Sequence, residues 1–172
     1  MKRLIESTWG ERFLKLYNVQ HSTSFRITSQ PNPPEPDLKC EDPGSGDVLF
    51  LEITELWEND ADAKDLYDLV RGIVTEDEQL HRKLAEDARK DPYDAYFNRL
   101  MDRIYEKCSC RYVASGPIIL VIGDKSPFSS VTEVQEEILS NIRIPDEHPF
   151  AGISLVLLEP STYGEYRLLQ IV

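Results

Sequence analysis

One glutamate constrains this chain more than any other residue. Glu52 stands inside the run Val48-Leu49-Phe50-Leu51-Glu52-Ile53-Thr54, which otherwise has the apolar, β-rich character of a buried strand. Burying an unpaired carboxylate costs several kcal/mol or forces a large pKa shift, so Glu52 needs a partner. Two kinds of partner answer that need: a cation from elsewhere in the fold, or a divalent metal shared with a second acid.

The neighbouring sequence supplies the second acid. The stretch Gln30-Pro31-Asn32-Pro33-Pro34-Glu35-Pro36 interrupts any regular element, because proline removes a backbone donor and holds its predecessor extended. Asp37-Leu38-Lys39-Cys40 then reads as a short strand and Asp42 to Asp47 as a turn, with Val48 to Thr54 the next strand. Ser24 to Ser29 alternates like a strand placed before them. Three strands joined by short connections form an antiparallel meander, which predicts that Asp37 and Glu52 meet across it. Two carboxylates in one patch repel unless a divalent cation lies between them.

On either side of the meander the pattern is helical. Residues 4 to 17 place Leu4, Ile5, Phe13, Leu14, Leu16 and Tyr17 at helical spacing, with an interruption expected near Trp9-Gly10. Glu6 and Glu11 lie on this helix. From Asp60 to Arg111 the composition is charged and helical. Thr75 and Glu78 form a capping box, and Asp91-Pro92 opens a further helix with the apolar face Phe97, Leu100, Met101, Ile104 and Cys108. Lys107 lies at the edge of that face, where it can either point along the core boundary toward the sheet or reach solvent.

Pro117 to Ile122 is an apolar run typical of a strand covered on both faces. Ser129 to Ile142 is predicted as a helix, Ile153 to Leu158 as a second buried strand and Arg167 to Val172 as an edge strand, the strand-helix-strand order implying a parallel pair. The expected architecture over residues 1–172 is one α/β domain: a mixed sheet flanked by helices on both faces, with residues 60–95 as a charged helical insertion.

Charge and composition exclude several classes. Residues 35 to 94 carry 19 acids and 7 Lys/Arg, which accounts for the whole net charge of −12. Such a surface opposes non-specific attraction to a phosphate backbone and favours a basic protein partner or a metal-neutralised site. No apolar stretch has the length of a leader or a membrane span, so a cytoplasmic protein without a membrane partner is expected. Cys40, Cys108 and Cys110 lack metal-ligand spacing, His21, His81 and His148 are scattered, and neither common nucleotide-binding glycine motif is present.

Pro36-Asp37, followed by Glu52-Ile53-Thr54, together with the order of elements, resembles the PD-(D/E)XK nuclease superfamily, whose restriction-endonuclease-like core runs αβββαβ. The resemblance implies Mg²⁺ held by Asp37 and Glu52, supplemented by Glu6 or Glu11 from the first helix, and phosphodiester hydrolysis in nucleic acid. A lysine two residues past the strand acid orients or deprotonates the attacking water in that family. Here that position is Thr54, whose hydroxyl holds a water or phosphate oxygen but supplies no positive charge. Some relatives carry Glu-x-Thr and draw the lysine from the following helix, which makes Lys107 the replacement. An alternative keeps the fold without catalysis, as an acidic binding module resembling an immunity or antitoxin-like inhibitor of a basic partner. A third reading makes Asp37 and Glu52 purely structural.

Overall fold

The structure, a computed structural model, describes residues 2–56, 92–124, 135–136, 140–158 and 165–172. Helix α1 (Lys2–His21) precedes strands β1 (Arg26–Ser29), β2 (Leu38–Glu41) and β3 (Val48–Leu56). Helix α2 (Pro92–Cys108), β4 (Ile118–Asp124), β5 (Gly152–Leu158) and β6 (Tyr166–Gln170) follow. The chain is α/β, and among the described residues the strands make one mixed sheet in the order β1-β2-β3-β4-β5-β6. β1, β2 and β3 form the expected antiparallel meander, β3-β4 and β4-β5 are parallel, and β6 returns antiparallel to β5 as an edge.

Strand alternation decides which helix covers which face. Leu49, Leu51 and Ile53 of β3, with Val121 and Val156, pack under Trp9, Phe13 and Leu14 of α1. Phe50 and Leu56, with Leu120, Ile122 and Leu155, pack under Tyr96, Leu100 and Ile104 of α2. The even-numbered positions of β3 therefore face α2, and Glu52 is one of them.

The expected interruption at Trp9-Gly10 is corrected: α1 runs unbroken from Lys2 to His21. Gly10 is there for approach rather than for a kink, since a Cβ on it would run into the Leu38 side chain of β2. Gly123 does the same on β4, where the Trp9 indole lies flush against its backbone. In the β2-β3 turn the Asp42 carboxylate accepts the N–H groups of Ser24 and Gly44 at 2.8 Å each, and Gly46 takes a φ of +79° that suits glycine.

α2 is described from Pro92, within the stretch where the sequence expects a helix. Most of the charged insertion over 60–95, including Thr75, Glu78 and His81, lies outside the described residues. Of the helix expected over 129–142, residues 135–136 and 140–141 are helical and Ile142 packs against the α2-side core. No helix among the described residues is long and apolar enough to cross a membrane.

Candidate acid and lysine site

β2 pairs with β3 only as far as Leu38 opposite Leu51, so the part of β3 beyond Leu51 loses its neighbour on that side. The Phe50 N–H is given to Pro117 on the β4 side. By alternation the Ile53 N–H points the other way, to where β2 has ended. Asp37, one residue before β2, closes the gap: its Oδ2 accepts the Ile53 N–H at 2.9 Å. The proline-bounded arrival at Asp37 thus replaces a ladder bond with a carboxylate, which anchors that half-buried acid beside Glu52.

Glu52 is 5 % exposed and points toward α2. The Lys107 ammonium in the last turn of α2 donates to its Oε1 at 2.6 Å. Burial pushes the Glu52 carboxyl above its usual range and the Asp37 charge adds to this, while Lys107 opposes both. The cation and the acid that answer the glutamate in the apolar strand are therefore in one place. Thr54 is half-buried, one step beyond Glu52 on the same strand face.

Of the two helical acids, the structure brings in one. Glu6 is 7 % exposed, and burial followed by the Asp37 charge raises its carboxyl. Glu11 is exposed, about 140° further around α1, and stands apart from the site. Lys2, one turn before Glu6, places its ammonium 3.2 Å from Glu6 Oε1. The contact joins an exposed ammonium to a buried carboxylate oxygen. An i,i+4 pair whose lysine end is open to solvent in this way contributes only about 0.3–0.5 kcal/mol.

Two participants have no signature in the sequence. Lys2 is drawn in by its hydrogen bond to Glu6 and the charge of that acid, to which the Asp37 and Glu52 charges add, and together they hold its ammonium above the usual lysine range. Tyr112 lies in the connection from α2 to β4, which is tied to the proline-rich segment by the Val113 N–H bonding to Pro34 O at 3.0 Å. Its hydroxyl is buried, and burial together with the nearby Glu52 charge pushes the phenol well above its ordinary range. Neither residue belongs to an apolar period or a short motif, so only the fold reveals them.

Chemically, the site gathers carboxylates from α1, the start of β2 and the middle of β3, with an ammonium from α2 fixed on one of them. Among the described residues no three Asp, Glu, His or Cys side chains form a ready metal-holding group. Carboxylate oxygens are the donor type that Mg²⁺ takes, one or two at a time with several waters. Comparison of the chain with protein-family models, with curated proteins and with solved structures finds no match.

Proposed function

We propose that this chain is a Mg²⁺-dependent nuclease of the restriction-endonuclease-like type, in which α1, β1, β2, β3, α2 and β4 form the αβββαβ core. The observation that carries the reading is the meeting of Asp37, Glu52 and Lys107, which come from three separate elements, at the point where β2 ends. Mg²⁺ bound there supplies Lewis-acid stabilisation of charge on the phosphate and acidifies a bound water. Asp37 and Glu52 would hold it, Asp37 oriented by the Ile53 N–H and Glu52 by the Lys107 ammonium. Lys107 brings the positive charge that Thr54 lacks, and the Thr54 hydroxyl is placed to hold a water or a phosphate oxygen.

Asp37→Ala and Glu52→Ala are each expected to lower Mg²⁺-dependent cleavage of DNA or RNA by roughly 100-fold or more, since the metal is asked for several kcal/mol. The check is a cleavage assay on both variants with folding verified by circular dichroism. Full activity in either variant rules the site out.

The concentration of the −12 charge between residues 35 and 94 favours a second reading, an inactive fold that binds a basic protein. Salt-sensitive association with such a protein, in a chain that cleaves neither DNA nor RNA, selects it over the nuclease.

A further inference from the structure

Lys107 serves one oxygen of Glu52, donating to Oε1 at 2.6 Å. A buried carboxyl group has a second oxygen, and leaving a buried acceptor bare is costly, so that oxygen calls for a donor from the same face of the sheet. The face carries the core under α2, and among the described residues two tyrosines belong to that core, Tyr96 and Tyr112. Tyr96 is committed elsewhere. Its hydroxyl donates to Asp124 Oδ2 at 2.8 Å, four residues along β4 from Leu120, the strand partner of Glu52.

Tyr112 is brought to the site by the chain on both sides of it. After Lys107 the backbone turns through the Cys110 N–H, which bonds Lys107 O at 3.2 Å, and the Val113 N–H then bonds Pro34 O at 3.0 Å, three residues before Asp37. The Tyr112 ring packs on Phe150 with centroids 5.6 Å apart, and the hydroxyl oxygen is buried. The ring is therefore held between the residue that takes one Glu52 oxygen and the segment that delivers Asp37. A buried tyrosine hydroxyl finds an acceptor, and two are near it, the Glu52 carboxyl and the Cys110 sulfur. Sulfur is the weaker acceptor, and the Cys110 thiol is turned to the Glu106 carbonyl, to which it donates at 3.4 Å.

We propose that the Tyr112 hydroxyl donates to the Glu52 oxygen that Lys107 leaves, which makes Tyr112 a positioning residue that fixes the plane of this carboxyl group. An O–H donates to a carboxyl oxygen whether the group is ionised or protonated, so the contact does not depend on the charge of Glu52. Bonds from Lys107 and from Tyr112 both oppose the burial that raises the Glu52 carboxyl. The assignment rests on Glu52 belonging to the proposed site but not on that site cleaving nucleic acid.

The test is a double-mutant cycle on the full chain, read by urea unfolding. Tyr112→Phe keeps the ring and removes the hydroxyl, and is introduced into wild type, into Glu52→Ala and into Cys110→Ala, the last at an exposed position. It is expected to raise the unfolding equilibrium constant roughly tenfold in wild type and in Cys110→Ala, and less than about twofold in Glu52→Ala. Where wild type cleaves DNA or RNA with Mg²⁺, Tyr112→Phe is expected to lower kcat roughly tenfold and leave KM within about twofold, a split that a merely structural tyrosine does not produce. An effect on unfolding that persists in Glu52→Ala, one that vanishes in Cys110→Ala, one below about twofold in wild type, or an unchanged kcat overturns the proposal. If the coupling to Glu52 is seen and wild type cleaves no nucleic acid, the nuclease reading fails and the assignment of Tyr112 stands.

Discussion

At the scale of single residues, the pair Glu52 and Lys107 sets the energetics of the site. Glu52 carries a carboxyl that burial raises above its ordinary 4.5 and that Lys107 pulls back. A raised folded-state pKa means that the contribution of Glu52 to stability is fully present below the unfolded value and is lost as pH rises through the folded one. Lys107→Met removes the opposing cation, raises the Glu52 carboxyl further and so enlarges the loss on the alkaline side. The variant is expected to be about 2–3 kcal/mol less stable than wild type near neutral pH, with the gap closing below pH 4.5, where Glu52 is neutral in both. Urea unfolding at the two pH values checks this, and a gap independent of pH would show that Glu52 does not depend on Lys107. Glu52 was legible in the sequence because an acid in an apolar strand is an anomaly that demands a partner. Lys107 was half-legible, its helical phase placing it at the core edge without saying which acid it would meet.

The element scale is governed by how closely α1 lies on the sheet. Gly10 and Gly123 each remove a side chain where helix and strand backbones approach, but what stands opposite differs. A methyl on Gly123 meets the rigid Trp9 indole, which is itself fixed by its N–H bond to Glu55 at 2.7 Å. A methyl on Gly10 meets the end of the Leu38 side chain, which can rotate, and alanine regains about 0.5–1 kcal/mol of helix propensity there. Gly123→Ala is therefore expected to cost about 2–3 kcal/mol, and Gly10→Ala distinctly less. Denaturant midpoints of the two variants rank them, and a larger loss for Gly10→Ala would contradict the account. The sequence pattern predicts a break at Gly10 because glycine is a poor helix former. The long apolar contact of α1 with the sheet outweighs that local preference, and the helix continues.

For the whole molecule, the net charge of −12 makes any cation site a stabilising one, since binding relieves repulsion among acids as well as filling the site. A divalent cation that binds only the folded state adds about 2.7 kcal/mol at 100 times its Kd, roughly 5–11 °C in melting temperature for a chain of this size. Mg²⁺ or Ca²⁺ is expected to raise the melting temperature of wild type by such an amount at constant ionic strength, and to leave Asp37→Asn unchanged beyond the effect of general screening. Equal shifts in the two proteins would place the cation elsewhere on the acidic surface.

Amphipathic periodicity, the prolines before Asp37 and the apolar runs around Leu51, Leu120 and Leu155 were enough to place α1, α2 and the six strands of the described residues, and with them the meander and the parallel pair β4 and β5. They were enough because those signals are local: each element announces its own buried face, and short connections leave few ways to arrange neighbours. Which acids share a site was decided only in three dimensions. Glu6 and Glu11 are equivalent as sequence, yet the wrap of α1 over the sheet buries one and exposes the other. Lys2 and Tyr112 come within the field of Glu52 across separations that no periodicity spans, Lys2 because the first turn of α1 is stapled to Gln30 and Asn32, Tyr112 because its segment is tied to Pro34. Burial and electrostatic fields depend on distance through space, so the charges that act on Glu52 become countable only once the sheet has brought their elements together.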